Sequence, residues 1–180
     1  MIPVFTYPDA TKLNPSLFQR VKDNYVSQVQ GGGRRTSVNF HQKGIQEVDI
    51  LLTWIKNILP KAVYKFSQDG EDICKMEEVG FDINSFKIKE CWGIYYNKGE
   101  GVVKHNHFPY ALSFVYCVNI PKKSSPIVIE GKKIKQIAGT VIFFLSHQYH
   151  WVKSTQSDGK CVITGNILYE TLEDIKKLEK

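Results

Sequence analysis

The hydrophobic positions of this chain change their period near residue 86. Before that point they recur every three or four residues, as they do along one face of a helix. Leu17, Val21, Tyr25 and Val29 form one such series, with Asn14 and Pro15 reading as an N-cap and a first-turn proline and Gly31 as the stop. The pattern predicts a first helix over 15–29. Val48, Leu51, Leu52, Ile55, Ile58 and Leu59 predict a second amphipathic helix, which Pro60 should end. Residues 1–10 read as a short extended arm, and Gly31–Ser37 as a flexible basic loop. Residues 61–90 are mixed and polar, with turn signals at Asp69–Gly70 and around Asn84–Ser85.

From residue 86 the texture becomes that of strands. FKIKECWGIYYN, ALSFVYCVNIP, SPIVIEG, GTVIFFLS and KCVITGNILYE are short runs of β-branched and aromatic residues separated by Gly, Pro, Lys and Ser. Several such strands with no helical period between them predict a sandwich or barrel. The expected fold class is therefore mainly β with N-terminal helices, an α+β arrangement. One domain spans 1–180. In it a helical and mixed region over 1–85 packs on a β core over 86–170, and a short helix capped by Thr171 covers 171–180.

Composition adds little to this picture but excludes some classes. The chain has 24 basic and 18 acidic residues, a net charge of +6. Much of the excess lies in scattered lysines such as Lys122, Lys123, Lys132, Lys133, Lys176 and Lys177, which is the pattern of a solvated surface rather than of a nucleic-acid footprint. Cys74, Cys91, Cys117 and Cys161 are widely spaced, with no C-x-x-C pair, so they predict free thiols in a reducing compartment. No secretory signal pattern and no membrane-length apolar stretch occurs, and a cytoplasmic protein is expected. The G-G-G-R-R-T-S run lacks the G-K-[ST] ending of a phosphate-binding loop; a substrate clamp by Arg34 and Arg35 is its functional alternative.

The histidines carry the chemistry. His105 and His107 are two apart on the approach to a strand, and alternation puts both on one face. His150 follows the strand GTVIFF, where an antiparallel barrel can bring it beside that pair. His147, three residues earlier, is the alternative at this stage, as a ligand or as a supporting partner. Three imidazoles suit Fe, Zn, Ni or Cu and leave coordination positions for water or substrate, as catalytic sites do. On the last strand Lys160, Val162, Thr164 and Asn166 share one face, which predicts either a polar cavity or, for Lys160, an exposed strand start.

The order Y-x-x-G, H-x-H, LSFVYCVNIP, GTVIFFLSHQYHWV, KCVITGN resembles the 2-oxoglutarate/Fe(II)-dependent oxygenases, especially small members of bacteria and phages. The resemblance covers roughly residues 90–168 well. It implies a double-stranded β-helix, or jelly-roll barrel, with Fe(II) as the metal and 2-oxoglutarate as cosubstrate. It makes His105 and His150 iron ligands, preferring His150 to His147. It places Lys160 on the far carboxylate of 2-oxoglutarate, and makes Tyr95 or Tyr96, Ser113 and Thr164 candidates for its remaining hydrogen bonds. Many members carry a carboxylate where this chain has His107. Either the site uses three histidines, or water or a remote acid such as Glu100 completes it. The implied activity is a dioxygenase that couples 2-oxoglutarate decarboxylation to C–H hydroxylation of a small-molecule or peptidyl substrate by O2.

Two other classes fit the same pattern less fully. A cupin-like metalloenzyme independent of 2-oxoglutarate matches Gly99 before H-x-H and Gly139 before His150, but lacks the glutamate, proline and glycine of the cupin motifs. A non-catalytic jelly-roll module would have no use for H-x-H, a later His and a basic residue in register.

Overall fold

The computed structural model describes residues 2–68 and 85–170. The Asp69–Gly70 turn, Asn84, Cys74 and the helix expected over 171–180 lie outside the described residues. The described chain runs β1 (Val4–Thr6), α1 (Ala10–Asp23), β2 (Tyr25–Gln28), β3 (Arg34–Thr36), α2 (Gln46–Gln68), β4 (Phe86–Tyr96), β5 (Val102–His105), β6 (Leu112–Asn119), β7 (Ile127–Ile129), β8 (Lys132–Ile134), β9 (Thr140–Leu145), β10 (His150–Val152) and β11 (Lys160–Tyr169). The strands form two sheets, ordered β1-β9-β6-β11-β4-β3-β2 and β5-β10-β7-β8, with every strand pair antiparallel.

The large sheet has two unlike faces. One packs under both helices, where Leu17, Val21, Leu51, Ile55 and Phe66 meet Cys91, Phe114, Phe143, Cys161 and Ile163. The other turns toward the small sheet, where Trp92, Ile94, Tyr96, Val115 and Val162 meet Ile127, Ile129 and Val152. Complete burial of each large apolar side chain contributes about 1.5–3 kcal/mol, so both layers stabilise the barrel. A bulge where β4 passes the Asn166–Ile167 step sets the facing of β4. Lys89 is the extra residue. Ile88 and Phe86 therefore pack on the helix side, while Glu90 faces the other way with Trp92, Ile94 and Tyr96. Gly93 allows α1 to lie flat on this sheet: a Cβ there would come within 2.4 Å of Val21.

Three expectations from the helical half are corrected. The first helix starts at Ala10 and ends at Asp23, with Pro15 inside it. Asn14 does not cap this helix, because its amide donates to Val118 O at 2.7 Å and its oxygen accepts from Tyr116 Oη at 2.7 Å. Tyr25 and the segment to Gln28 are strand, and of Gly31–Ser37 the glycines form a turn while Arg34–Thr36 is strand, pairing with both β2 and β4. Pro60 does not stop the second helix, which continues to Gln68. Burial of Ala62, Val63 and Phe66 offsets the hydrogen bond that a proline cannot donate. The N-terminal region thus supplies three strands of the large sheet as well as two helices. No described helix is long and apolar enough to cross a membrane. Cys91, Cys117 and Cys161 are free and buried.

Candidate metal centre

The small sheet brings the first two histidines together. His150 opens β10 and pairs directly with His105 at the end of β5, so their side chains leave the sheet on one face. His107 follows two residues later, where its backbone N–H donates to Ser146 O at 2.7 Å and ties the end of β5 to the end of β9. One nitrogen from each of the three rings lies within 4.8 Å of the other two. The ring centroids are 4.3 Å apart for His105–His150 and 4.9 Å for each pair with His107.

Two of the rings are oriented by backbone carbonyls. His105 Nδ1 lies 2.8 Å from Val103 O and His150 Nδ1 lies 3.1 Å from Gln148 O. Donation to these carbonyls assigns the proton to Nδ1 and leaves the Nε2 lone pair for an ion. His107 has a different neighbour. Its Nδ1 is 3.4 Å from Asn166 Nδ2, which donates to Glu90 Oε2 at 2.8 Å. Asn166 Oδ1 in turn accepts from Ser113 Oγ at 2.9 Å. Burial, reinforced by the neighbouring rings, lowers His107 to about 3 and His150 to about 4. Both are neutral imidazoles at pH 7, the form that ligates. The donor set therefore fits a borderline divalent ion such as Fe(II) or Zn(II).

The triad opens into a cavity of about 480 Å³ between the two sheets. Cross-strand rows build its floor: Lys160 beside Tyr96, Val162 beside Ile94 and Thr164 beside Trp92, with Glu90, the neighbour of Asn166, continuing the lining. Lys160 is fully buried, so it is not an exposed strand start. Its Nζ donates to Ser125 O at 2.6 Å and Gln136 Oε1 at 2.8 Å and lies 5.3 Å from the Tyr96 ring centroid. No described carboxylate pairs with it, and burial lowers it to about 8. A buried ammonium with only neutral partners, lining a cavity, is suited to an incoming anion.

The other predicted residues divide between this cavity and its surroundings. Tyr96 and Thr164 line the cavity, and Thr164 Oγ1 donates to Phe114 O at 2.7 Å. Tyr95 lies on the opposite face of β4, with its ring 5.7 Å from that of Phe18. Ser113 is buried beneath the triad, bonded to Ser146 and Asn166. His147 is exposed and outside the triad. Glu100 is held by Arg34 at 3.3 Å and accepts from Asn97 N at 2.7 Å, so it is not the acid beside the triad. Among the described residues Glu90 is the acid that lines the cavity. Neither Glu90 nor Gln136 is among the residues singled out by the sequence motifs. Alternation back from Tyr96 through Ile94 and Trp92 points to Glu90, whereas nothing local points to Gln136.

Two facing antiparallel sheets with this site at one end are a double-stranded β-helix, the fold of the 2-oxoglutarate/Fe(II) oxygenases. No protein-family model and no curated protein matches the chain. Solved structures do. A viral collagen prolyl hydroxylase from Paramecium bursaria Chlorella virus-1, in complex with 2-oxoglutarate, aligns with a TM-score of 0.67 at 12% identity, over 92% of this chain and 94% of that one. A Pseudomonas putida prolyl-4-hydroxylase aligns with a TM-score of 0.63 at 15% identity, over 94% and 92%. A non-haem α-ketoglutarate-dependent carbocyclase of nogalamycin biosynthesis aligns with a TM-score of 0.66 at 10% identity, over 98% and 86%.

Proposed function

We propose that this protein is an Fe(II)/2-oxoglutarate-dependent dioxygenase that hydroxylates a C–H bond of a small-molecule or peptidyl substrate. One observation carries the reading: three imidazoles and a buried, carboxylate-free lysine share a single cavity. The fold likeness to a collagen prolyl hydroxylase with 2-oxoglutarate bound supports it.

His105, His107 and His150 would hold the metal, with His105 and His150 kept in register by the β5–β10 pairing. Lys160 would take the far carboxylate of 2-oxoglutarate, and Gln136 and Ser125 aim its ammonium. Thr164 and Tyr96 wall the space between metal and lysine. Iron and 2-oxoglutarate, when bound with O2, supply the oxidising chemistry, in which decarboxylation of the keto acid is coupled to hydroxylation. Ile94, Val115, Ile127 and Val162 exclude water from that space. Ser113, Asn166 and Glu90 hold the His107 side of the site.

Anaerobic addition of Fe(II) and then 2-oxoglutarate should give the visible charge-transfer band of the chelate. His150→Ala should abolish it. A protein that binds iron yet never shows the band contradicts the reading. That result would favour a cupin-like metalloenzyme independent of 2-oxoglutarate, whose supporting observation here is a ligand set without a carboxylate.

A further inference from the structure

Two arginines stand side by side in β3 and serve opposite faces. Arg34 lies opposite Tyr95 in the β3–β4 register, and its Nη1 is 3.3 Å from Glu100 Oε1, so its charge is met. Arg35 lies opposite Ile94 and lines the cavity. It is half-buried, and its hydrogen bond is made by Nε, to Ser27 Oγ at 3.2 Å. Among the described residues no carboxylate pairs with it. The cavity thus contains two cations that no described carboxylate pairs with, Lys160 at the Tyr96 end of β4 and Arg35 two strands away from Val162 through Ile94, while Glu90, which also lines it, is engaged by Asn166. A single dicarboxylate bound with one end on the metal has only one far carboxylate to offer. The second cation calls for a second anion.

The strand bearing Arg35 is fixed in place. The β2–β3 turn seats on the start of β5, where Gly101 N donates to Gly31 O at 2.8 Å and Val103 N to Gln30 O at 3.1 Å. Gly31 (φ +108°) is required there, because a Cβ would lie 2.8 Å from Gly101 O. Gln28 and Gln30 line the same cavity. A guanidinium keeps its charge at any physiological pH and presents paired donors that match a carboxylate or a phosphate.

We propose that Arg35 binds an anionic group of the primary substrate, a carboxylate or a phosphate ester, and so holds the substrate in the mouth of the cavity. The proposal rests on the oxygenase reading of the site. The test uses the full chain with Fe(II) and saturating 2-oxoglutarate under anaerobic conditions. Binding of matched acid and amide pairs, and of matched phosphate-ester and alcohol pairs, is followed by the fluorescence of Trp92 and Trp151, which line the cavity. One anionic series should bind roughly ten- to a hundred-fold more tightly than its neutral partners. Which series does so identifies the group. Arg35→Gln should erase the preference, Arg35→Lys should keep part of it, and the 2-oxoglutarate band should persist in both. Arg35→Met, which retains the aliphatic stem, is the second neutral variant if the first does not fold. Three results overturn the proposal: no preference for anions, including no binding by any member of either series; a preference that survives in Arg35→Gln; or loss of the band in Arg35→Gln with the fold intact. If wild type shows no band, the oxygenase reading fails, and the same titration on the metal-free protein still tests Arg35.

Discussion

The same ten residues of β11 serve two regions governed by different physics. Toward the helices, Cys161, Ile163 and Ile167 are wholly buried in an apolar layer, and shape and volume decide what fits. Toward the small sheet, Lys160, Val162 and Thr164 wall a cavity, and what fits is decided by charge and hydrogen bonding. One backbone register carries both sets, so a one-residue slip would destroy packing and chemistry together. Changes to single side chains should separate them.

The largest expected effect is on the helix face. Phe143→Ala should cost about 3–5 kcal/mol of stability, measured by urea unfolding, while the protein that remains folded binds metal as wild type does. Equal losses of stability and metal affinity would mean that the faces are coupled. Next comes Lys160→Gln on the cavity face. It should raise the 2-oxoglutarate concentration needed for the chelate band roughly ten- to a hundred-fold, with little loss of stability because a buried charge is removed. Asn166→Ala should weaken metal binding by roughly tenfold, since it frees both Glu90 and the His107 side of the site. A calorimetric metal titration measures this.

The smallest effect is on pH. Lys160 is lowered to about 8 by burial, so it is charged at pH 7 and loses its proton as pH rises past 8. Affinity for 2-oxoglutarate should be flat below that point and fall by about tenfold at one pH unit above it. Stability has the opposite sign. Between pH 8 and the ordinary lysine range the unfolded chain binds the extra proton, so stability rises with pH there. The same sign applies to His107 and His150, lowered to about 3 and about 4. The metal-free protein should lose stability as pH falls from about 6.5 through that window.

The contrast also explains what could be read from the sequence. The strands of the large sheet from β4 onward, and β7 of the small one, were legible because burial leaves them as apolar runs with clear turn residues between them. The strands β8 and β10 were not: they are as short as β7 but, unlike its Ile-Val-Ile, read Lys-Lys-Ile and His-Trp-Val, which form no apolar run. Neither was the β2–β3 hairpin, whose residues are mostly polar and whose place is fixed by pairing with β4. Both prolines misled in the same way: each lies inside a helix held by tertiary packing, which outweighs local propensity. In the site, alternation was enough to suggest that His105 and His107 share an ion. The choice between Tyr95 and Tyr96 needed the β4–β11 register. Gln136, 24 residues from the lysine it holds, belongs to a contact that no local pattern records.

Three rings from two separate stretches are placed to hold one ion. An anaerobic Co(II) titration followed by visible absorption reads that arrangement without any cosubstrate. One equivalent should saturate the d–d bands of wild type, and His105→Ala, His107→Ala and His150→Ala should each change or abolish them. A spectrum that is absent in wild type, or unaltered in any one of the three variants, would contradict the account.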